Sequence, residues 1–155
     1  MVAPGRRVAD LAHVPWAAAV FNEAIRLYPP GWMLGRRCVE PFVLGGHEVA
    51  EGMLVMMSPW LLHRDGGRWP RAQEFAPERW LDGDPAPHRF SYLPFGAGTR
   101  KCIGSGFALA EGTIALSAIA RTRRLHRLPG HVLELAPQIT LRPRGGLPMR
   151  VEARS

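Results

Sequence analysis

The chain has 155 residues, of which 46% are hydrophobic and 21% charged, so it can bury a core and is not composed like a disordered segment. No apolar stretch approaches the length of a membrane span. The formal charge of +7 comes from 20 basic residues, all Arg except Lys101, that are scattered and lack the interleaved aromatics of a base-stacking platform. One domain is expected at this length, with no membrane or nucleic-acid partner and a cytoplasmic location.

In chain order, Arg6 and Arg7 open the sequence, but Asp10, His13 and Pro15 interrupt anything resembling a secretion-signal core. Trp16, Val20, Phe21, Ile25 and Leu27 recur at helical spacing, and Pro29-Pro30 must stop that helix, assigned to 11–27. From Arg36 to Met57 short apolar runs are broken by Gly45-Gly46 and Gly52, which predicts strands joined by tight turns. Ser58 and Pro59 predict the cap and first position of a short helix reaching about His63. His63-Arg64-Asp65 superficially resembles a kinase catalytic triplet, but Pro70 stands where its Asn is required; these are read as structural polar residues.

Residues 65–95 are rich in Pro, Gly and charge and predict a long irregular meander of the kind that packs around something. Residues 106–122 predict a helix with Phe107, Leu109, Ala110, Ile114, Ala118 and Ile119 on its buried face. The basic run from Arg121 to Arg127 reads as a solvated helix end with favourable dipole pairing. Residues 132–151 alternate around Gly145-Gly146, a β-hairpin signal.

Two cysteines, Cys38 and Cys102, are too few for a disulfide framework and too isolated for a C-x-x-C knuckle, although sequence alone leaves one disulfide open. Cys38 falls in a strand and reads as packing. Cys102 stands in Phe95-Gly96-Ala97-Gly98-Thr99-Arg100-Lys101-Cys102-Ile103-Gly104, directly ahead of a predicted helix. Glycines there permit positive φ and close approach to a flat ligand. The helix dipole, Arg100 and Lys101 favour a thiolate, whose soft sulfur suits iron or another soft metal. The bland alternative is a small buried hydrophobe. A phosphate cradle is excluded, because Lys101 and Leu109 occupy the positions where dinucleotide motifs need a third glycine, and no G-x-x-x-x-G-K-[ST] occurs.

At these residues the chain resembles the cytochrome P450 family. Phe95-x-x-Gly98-x-Arg100-x-Cys102-x-Gly104 is similar to its haem-binding signature at every fixed position, Glu23-Ala24-Ile25-Arg26 to its E-x-x-R motif, and Pro77-Glu78-Arg79-Trp80 to its P-E-R-F motif with Trp for Phe. The resemblance implies a mainly α fold with small β-sheets, the C-terminal part of the P450 fold spanning 1–155, with the haem-thiolate loop at 95–104. It implies a structural triad of Glu23, Arg26 and Arg79, in which losing one member would leave buried charge at a cost of about 3–5 kcal/mol.

It also implies haem b with Cys102 as the thiolate ligand to iron, favouring O–O cleavage on the opposite face. Phe95 would pack beside the porphyrin, Gly98 and Gly104 would let backbone pass close to it, and Arg100 would pair with a propionate. Arg36 or Arg37 would be a second propionate partner, and the doublet leaves that choice open. The implied partners are a small apolar substrate and an electron donor such as a ferredoxin or flavoprotein reductase, with Lys101 on the docking side.

The chain is less than half the usual family length, and no A-G-x-x-T stretch occurs, so no catalytic acid–alcohol pair is assigned. Three readings follow: a monooxygenase represented by its C-terminal portion through truncation, a haem-binding module or split-protein partner whose N-terminal portion is a separate chain, and a fold remnant acting as an interaction domain. The first is favoured, with efficient turnover by this chain alone not expected.

Overall fold

The computed structural model describes residues 14–83 and 85–154. The first helix, α1, spans Pro15–Leu27, so the expected extension over 11–13 lies outside the described residues. Pro15 occupies its first position, where a missing N–H costs nothing. Tyr28 leaves the helix at φ −128°, as a residue before proline must, and its N–H closes the last turn on the Ala24 carbonyl.

Four strands follow: β1 (Leu34–Arg37), β2 (Phe42–Leu44), β3 (His47–Val49) and β4 (Leu54–Met57). β2 and β3 form an antiparallel hairpin nested between β1 and β4, which pair with each other. Gly45 and Gly46, at φ 57° and 85°, make the two-residue hairpin loop, a pair of positive φ values that side chains resist. Helix α2 spans Pro59–Leu62, with the Ser58 hydroxyl accepting the Leu61 N–H as an N-cap.

The meander from 65 to 95 contains a 3-10 turn, Pro77–Trp80, and holds the fully buried Trp69. A second 3-10 turn, Gly98–Arg100, precedes helix α3, Ser105–Thr122. Helices α1 and α3 pack together where Gly112 faces Phe21, and a Cβ at 112 would collide with that ring.

Three expectations need correction. The apolar residues of α3 are largely uncovered: among the described residues of this helix only Thr113 is buried, while Phe107, Ile114 and Ile119 are 72%, 46% and 43% exposed. Periodicity identified a face that seeks a partner, and the described part of the chain does not supply one. The basic run is no helix end either. The helix stops at Thr122, and Arg123–Arg127 is an extended strand, β5, that pairs antiparallel with β8 (Met149–Ala153).

The tail, finally, is not one hairpin about Gly145-Gly146. β6 (Leu135–Pro137) pairs with β7 (Leu141–Pro143) around a turn at 138–140. The two glycines, at φ 71° and 84°, instead turn the chain from β7 into β8. The Leu141 N–H donates to the Pro30 carbonyl at 2.9 Å, tying this tail to the end of α1.

Candidate functional site

Glu23 and Arg26 lie one helical turn apart on α1, and both side chains are fully buried. The guanidinium forks onto the carboxylate through Nε (2.8 Å) and Nη2 (2.9 Å). Its other N–H groups donate to the carbonyls of His63 (2.6 Å), Ala72 (2.8 Å) and Glu74 (3.0 Å), so all five donors are satisfied. Glu23 also accepts from the Ala76 N–H (2.9 Å), Arg79 Nε (3.3 Å) and Trp80 Nε1 (2.9 Å). Burial raises the Glu23 pKa, but the bonds from Arg26, the Ala76 amide and Trp80 outweigh it and hold the group below the usual carboxylate range.

Glu23, Arg26 and Arg79 are thus brought together, and they organise the meander. Arg79 donates onward to the Pro70 carbonyl at 2.9 Å. The Trp69 ring lies beside two cations, with Arg26 Cζ 5.3 Å and Arg79 Cζ 5.9 Å from its centroid. Helix residues and loop backbone from 63 to 80 therefore meet at one ionic centre, which fixes a segment that has almost no regular structure of its own.

The cysteine loop is built by backbone bonds. The Gly96 N–H donates to the Leu93 carbonyl (3.1 Å), the Lys101 N–H to that of Gly98 (3.1 Å), and the Cys102 N–H to that of Phe95 (2.9 Å). Gly96 and Gly98 take φ of 71° and 70°, which makes glycine the fitting residue at both turns. Gly98 has open space where a Cβ would sit; at Gly104 a Cβ would stand 3.8 Å from Cys102 Sγ, so the thiol lies alongside that glycine.

Cys102 is free and exposed at the head of α3, Phe95 is half-buried, and Arg100 is exposed. Among the described residues no group of three or more His, Cys, Asp or Glu is placed to cage a metal. A single soft donor of this kind fits a metal that arrives with its own equatorial ligands, as iron does in a porphyrin.

β1 flanks the loop. Leu34 Cδ1 would lie 3.8 Å from a Cβ on Gly96, and strand alternation puts Arg36 on the same face as Leu34. Arg37 is on the other face, where its Nη1 donates to the Gly52 carbonyl at 2.9 Å. Cys38 is buried and free, its thiol donating to the Glu40 carbonyl at 2.9 Å.

Two residues do more than the sequence reading assigned them, His63 as a structural polar residue and Trp80 as a motif position. His63 is fully buried and bridges the ionic centre and the cysteine loop: its Nδ1 bonds the Arg26 carbonyl (3.0 Å) and its Nε2 accepts the Leu93 N–H (2.8 Å). Both partners are backbone groups distant in sequence, so no motif could announce them. Trp80 enters its motif only as a replacement for Phe, yet its indole N–H is a donor to Glu23 that Phe does not have.

Residues 3–144 match the family described as cytochrome P450. The chain is 43% identical over 136 residues to cyclooctatin synthase of Streptomyces melanosporofaciens, covering 87% of this chain and 30% of that protein. It is 42% identical over 126 residues to cyclooctat-9-en-7-ol 5-monooxygenase of the same organism, covering 80% and 27%. Among solved structures, a 6-coordinated cytochrome P450 from Thermus thermophilus superposes with a TM-score of 0.74 at 41% identity, over 93% of this chain and 38% of that one. The retinoic acid-bound cyanobacterial CYP120A1 gives 0.87 at 27% identity, over 99% and 36%. The chain spans about 30% of the length of the curated relatives it matches. With the E-x-x-R centre, the meander and the cysteine loop arranged as described, the chain belongs to the cytochrome P450 family, of whose fold it carries a helix and small-sheet portion.

Proposed function

We propose that this chain supplies the thiolate-side half of a haem monooxygenase site, with Cys102 Sγ as the protein ligand to iron. The observation that carries the reading is the free, exposed Cys102 thiol at the head of α3, in a loop closed by its own N–H on the Phe95 carbonyl, within a chain of this family. Haem bound there would supply oxygen activation and insertion into a C–H bond, with the thiolate pushing electron density toward iron.

The chain's own residues would do the rest of the holding. Phe95 would shield the sulfur side from water, Gly98 and Gly104 would admit the ring edge, and Arg100 and Arg36 would donate to propionates. Arg36 is chosen over Arg37 because it shares the face of β1 that meets the Gly96 turn. A small apolar substrate is supported by similarity to cyclooctat-9-en-7-ol 5-monooxygenase and to the carotene epsilon-monooxygenase of Arabidopsis thaliana. Electrons would come from a ferredoxin or flavoprotein reductase docking beside Lys101.

The uncovered apolar face of α3 supports a second component, an N-terminal P450 portion in the same polypeptide or in a separate chain, and turnover is proposed for that assembly. The test is the reduced, carbon monoxide-treated difference spectrum of the full chain supplied with haem. A red-shifted thiolate band is expected, lost in Cys102→Ala with helix content unchanged by circular dichroism. A Cys102→Ala protein that keeps the band would overturn the ligand assignment.

A further inference from the structure

We infer that His63 is a positioning residue for the cysteine loop, transmitting the rigidity of the Glu23–Arg26 centre to the backbone that presents Cys102. The relay can be followed bond by bond. Arg26 donates through Nη1 to the His63 carbonyl at 2.6 Å, while the His63 ring returns a bond from Nδ1 to the Arg26 carbonyl at 3.0 Å. Residue 63 is therefore clamped to α1 at both its backbone and its side chain. On the far side of the ring, Nε2 takes the Leu93 N–H at 2.8 Å. The carbonyl of that same Leu93 accepts the Gly96 N–H at 3.1 Å, which sets the turn into the loop, and the next bond closes Cys102 on Phe95 at 2.9 Å.

Only one tautomer satisfies both contacts. Nδ1 must carry the proton to donate to a carbonyl, and Nε2 must be bare to accept an amide N–H. Burial, opposed by the bond to the Arg26 carbonyl and aided by the Arg26 and Arg64 cations, lowers the His63 pKa to about 4, which keeps the ring neutral and the acceptor available. The Tyr92 ring, 5.3 Å away by centroids, packs against the imidazole and limits its rotation.

A buried neutral histidine is often only a satisfied core residue, and the test separates that role from positioning. Amide hydrogen exchange is measured on the full chain without haem, in wild type, His63→Phe and His63→Gln. Phe keeps the ring and removes both bonds, whereas the Gln carbonyl restores an acceptor for Leu93. Exchange at Leu93, Gly96 and Cys102 should rise about tenfold in His63→Phe and fall back in His63→Gln, with α1 amides unchanged. Unchanged loop exchange in a folded His63→Phe, or a rise equal across the chain, overturns the inference.

Should His63→Phe not fold, the imidazole nitrogen shifts of wild type decide instead. A bare Nε2 supports the relay, and a protonated Nε2 excludes the Leu93 bond and overturns it. A spectroscopic arm rests on the haem-thiolate reading proposed above: in haem-loaded His63→Phe, part of the red-shifted carbon monoxide band should move to the blue, and His63→Gln should restore it. Failure of wild type to take up haem would sink that reading while leaving the exchange result to judge the relay.

Discussion

Arg36 and Arg37 leave β1 on opposite faces, Arg36 on the face from which Leu34 meets the Gly96 turn, and Arg37 on the other, where it bonds the Gly52 carbonyl. Arg36 donates through Nη1 to the adjacent Gly35 carbonyl at 2.8 Å, a local bond that a carboxylate would outcompete. Arg36→Gln should therefore weaken haem retention about tenfold, a charge-assisted bond's worth, while Arg37→Gln leaves it nearly unchanged. The rate of haem transfer to an acceptor protein measures both. Equal losses would show that the choice between them is wrong.

The two thiols differ as sharply. Cys38 is buried with its S–H committed to the Glu40 carbonyl, and Cys102 is exposed and free. An alkylating reagent should label Cys102 in the native chain and reach Cys38 only after denaturation, as peptide mass mapping reads out. Added haem should slow the labelling of Cys102 alone. Native labelling of Cys38 at a matching rate would contradict its packing, and protection of both until reduction would reveal a disulfide.

Acid should loosen the fold through His63. Its pKa falls from 6.5 to about 4 in the folded chain, so between those values the unfolded state binds the extra proton. The stability involved, on the order of 3 kcal/mol, is fully present above pH 6.5 and is lost as pH falls toward 4. Arg26 and Arg64 oppose protonation from their neighbouring positions, and Glu23, held low by its bonds, adds its own loss only at the acid end of that window, beginning as pH falls through its ordinary value of 4.5 and ending below it. Urea midpoints taken across this window should drop with pH in wild type and flatten in His63→Gln. A wild-type midpoint constant from pH 7 to 4 would refute the buried neutral ring.

What the sequence made legible was local. The E-x-x-R pair at 23 and 26, the Ser58 cap and the Gly45-Gly46 turn are each decided by residues within four positions of one another, and each stands where spacing put it. The pairing of β5 with β8 joins residues 22 to 30 positions apart in register, and nothing local marks Arg123–Arg127 as strand. The α3 face misled for another reason: helical periodicity reports where apolar side chains point, not whether the described residues cover them. At the site, the motif residues were visible and His63 was legible as a structural polar residue, but the groups it bridges were not, since its partners are the backbone of Arg26 and Leu93.

Trp80 tests how far the departure from P-E-R-F matters. Its indole N–H donates to Glu23 Oε2 at 2.9 Å, on the same oxygen that receives Arg26 Nε, while its ring packs at 4.6 Å from Tyr92. Phe in its place would keep most of the ring contact and remove the donor, leaving a buried carboxylate with one fewer partner. Trp80→Phe should cost about 1.5–3 kcal/mol in urea unfolding, the range for a bond to a charged group, without changing far-UV dichroism. The loss should shrink sharply in a Glu23→Gln background, because the coupling runs through that carboxylate. Equal costs in both backgrounds would place the contribution of Trp80 in its ring packing and not in the bond to Glu23.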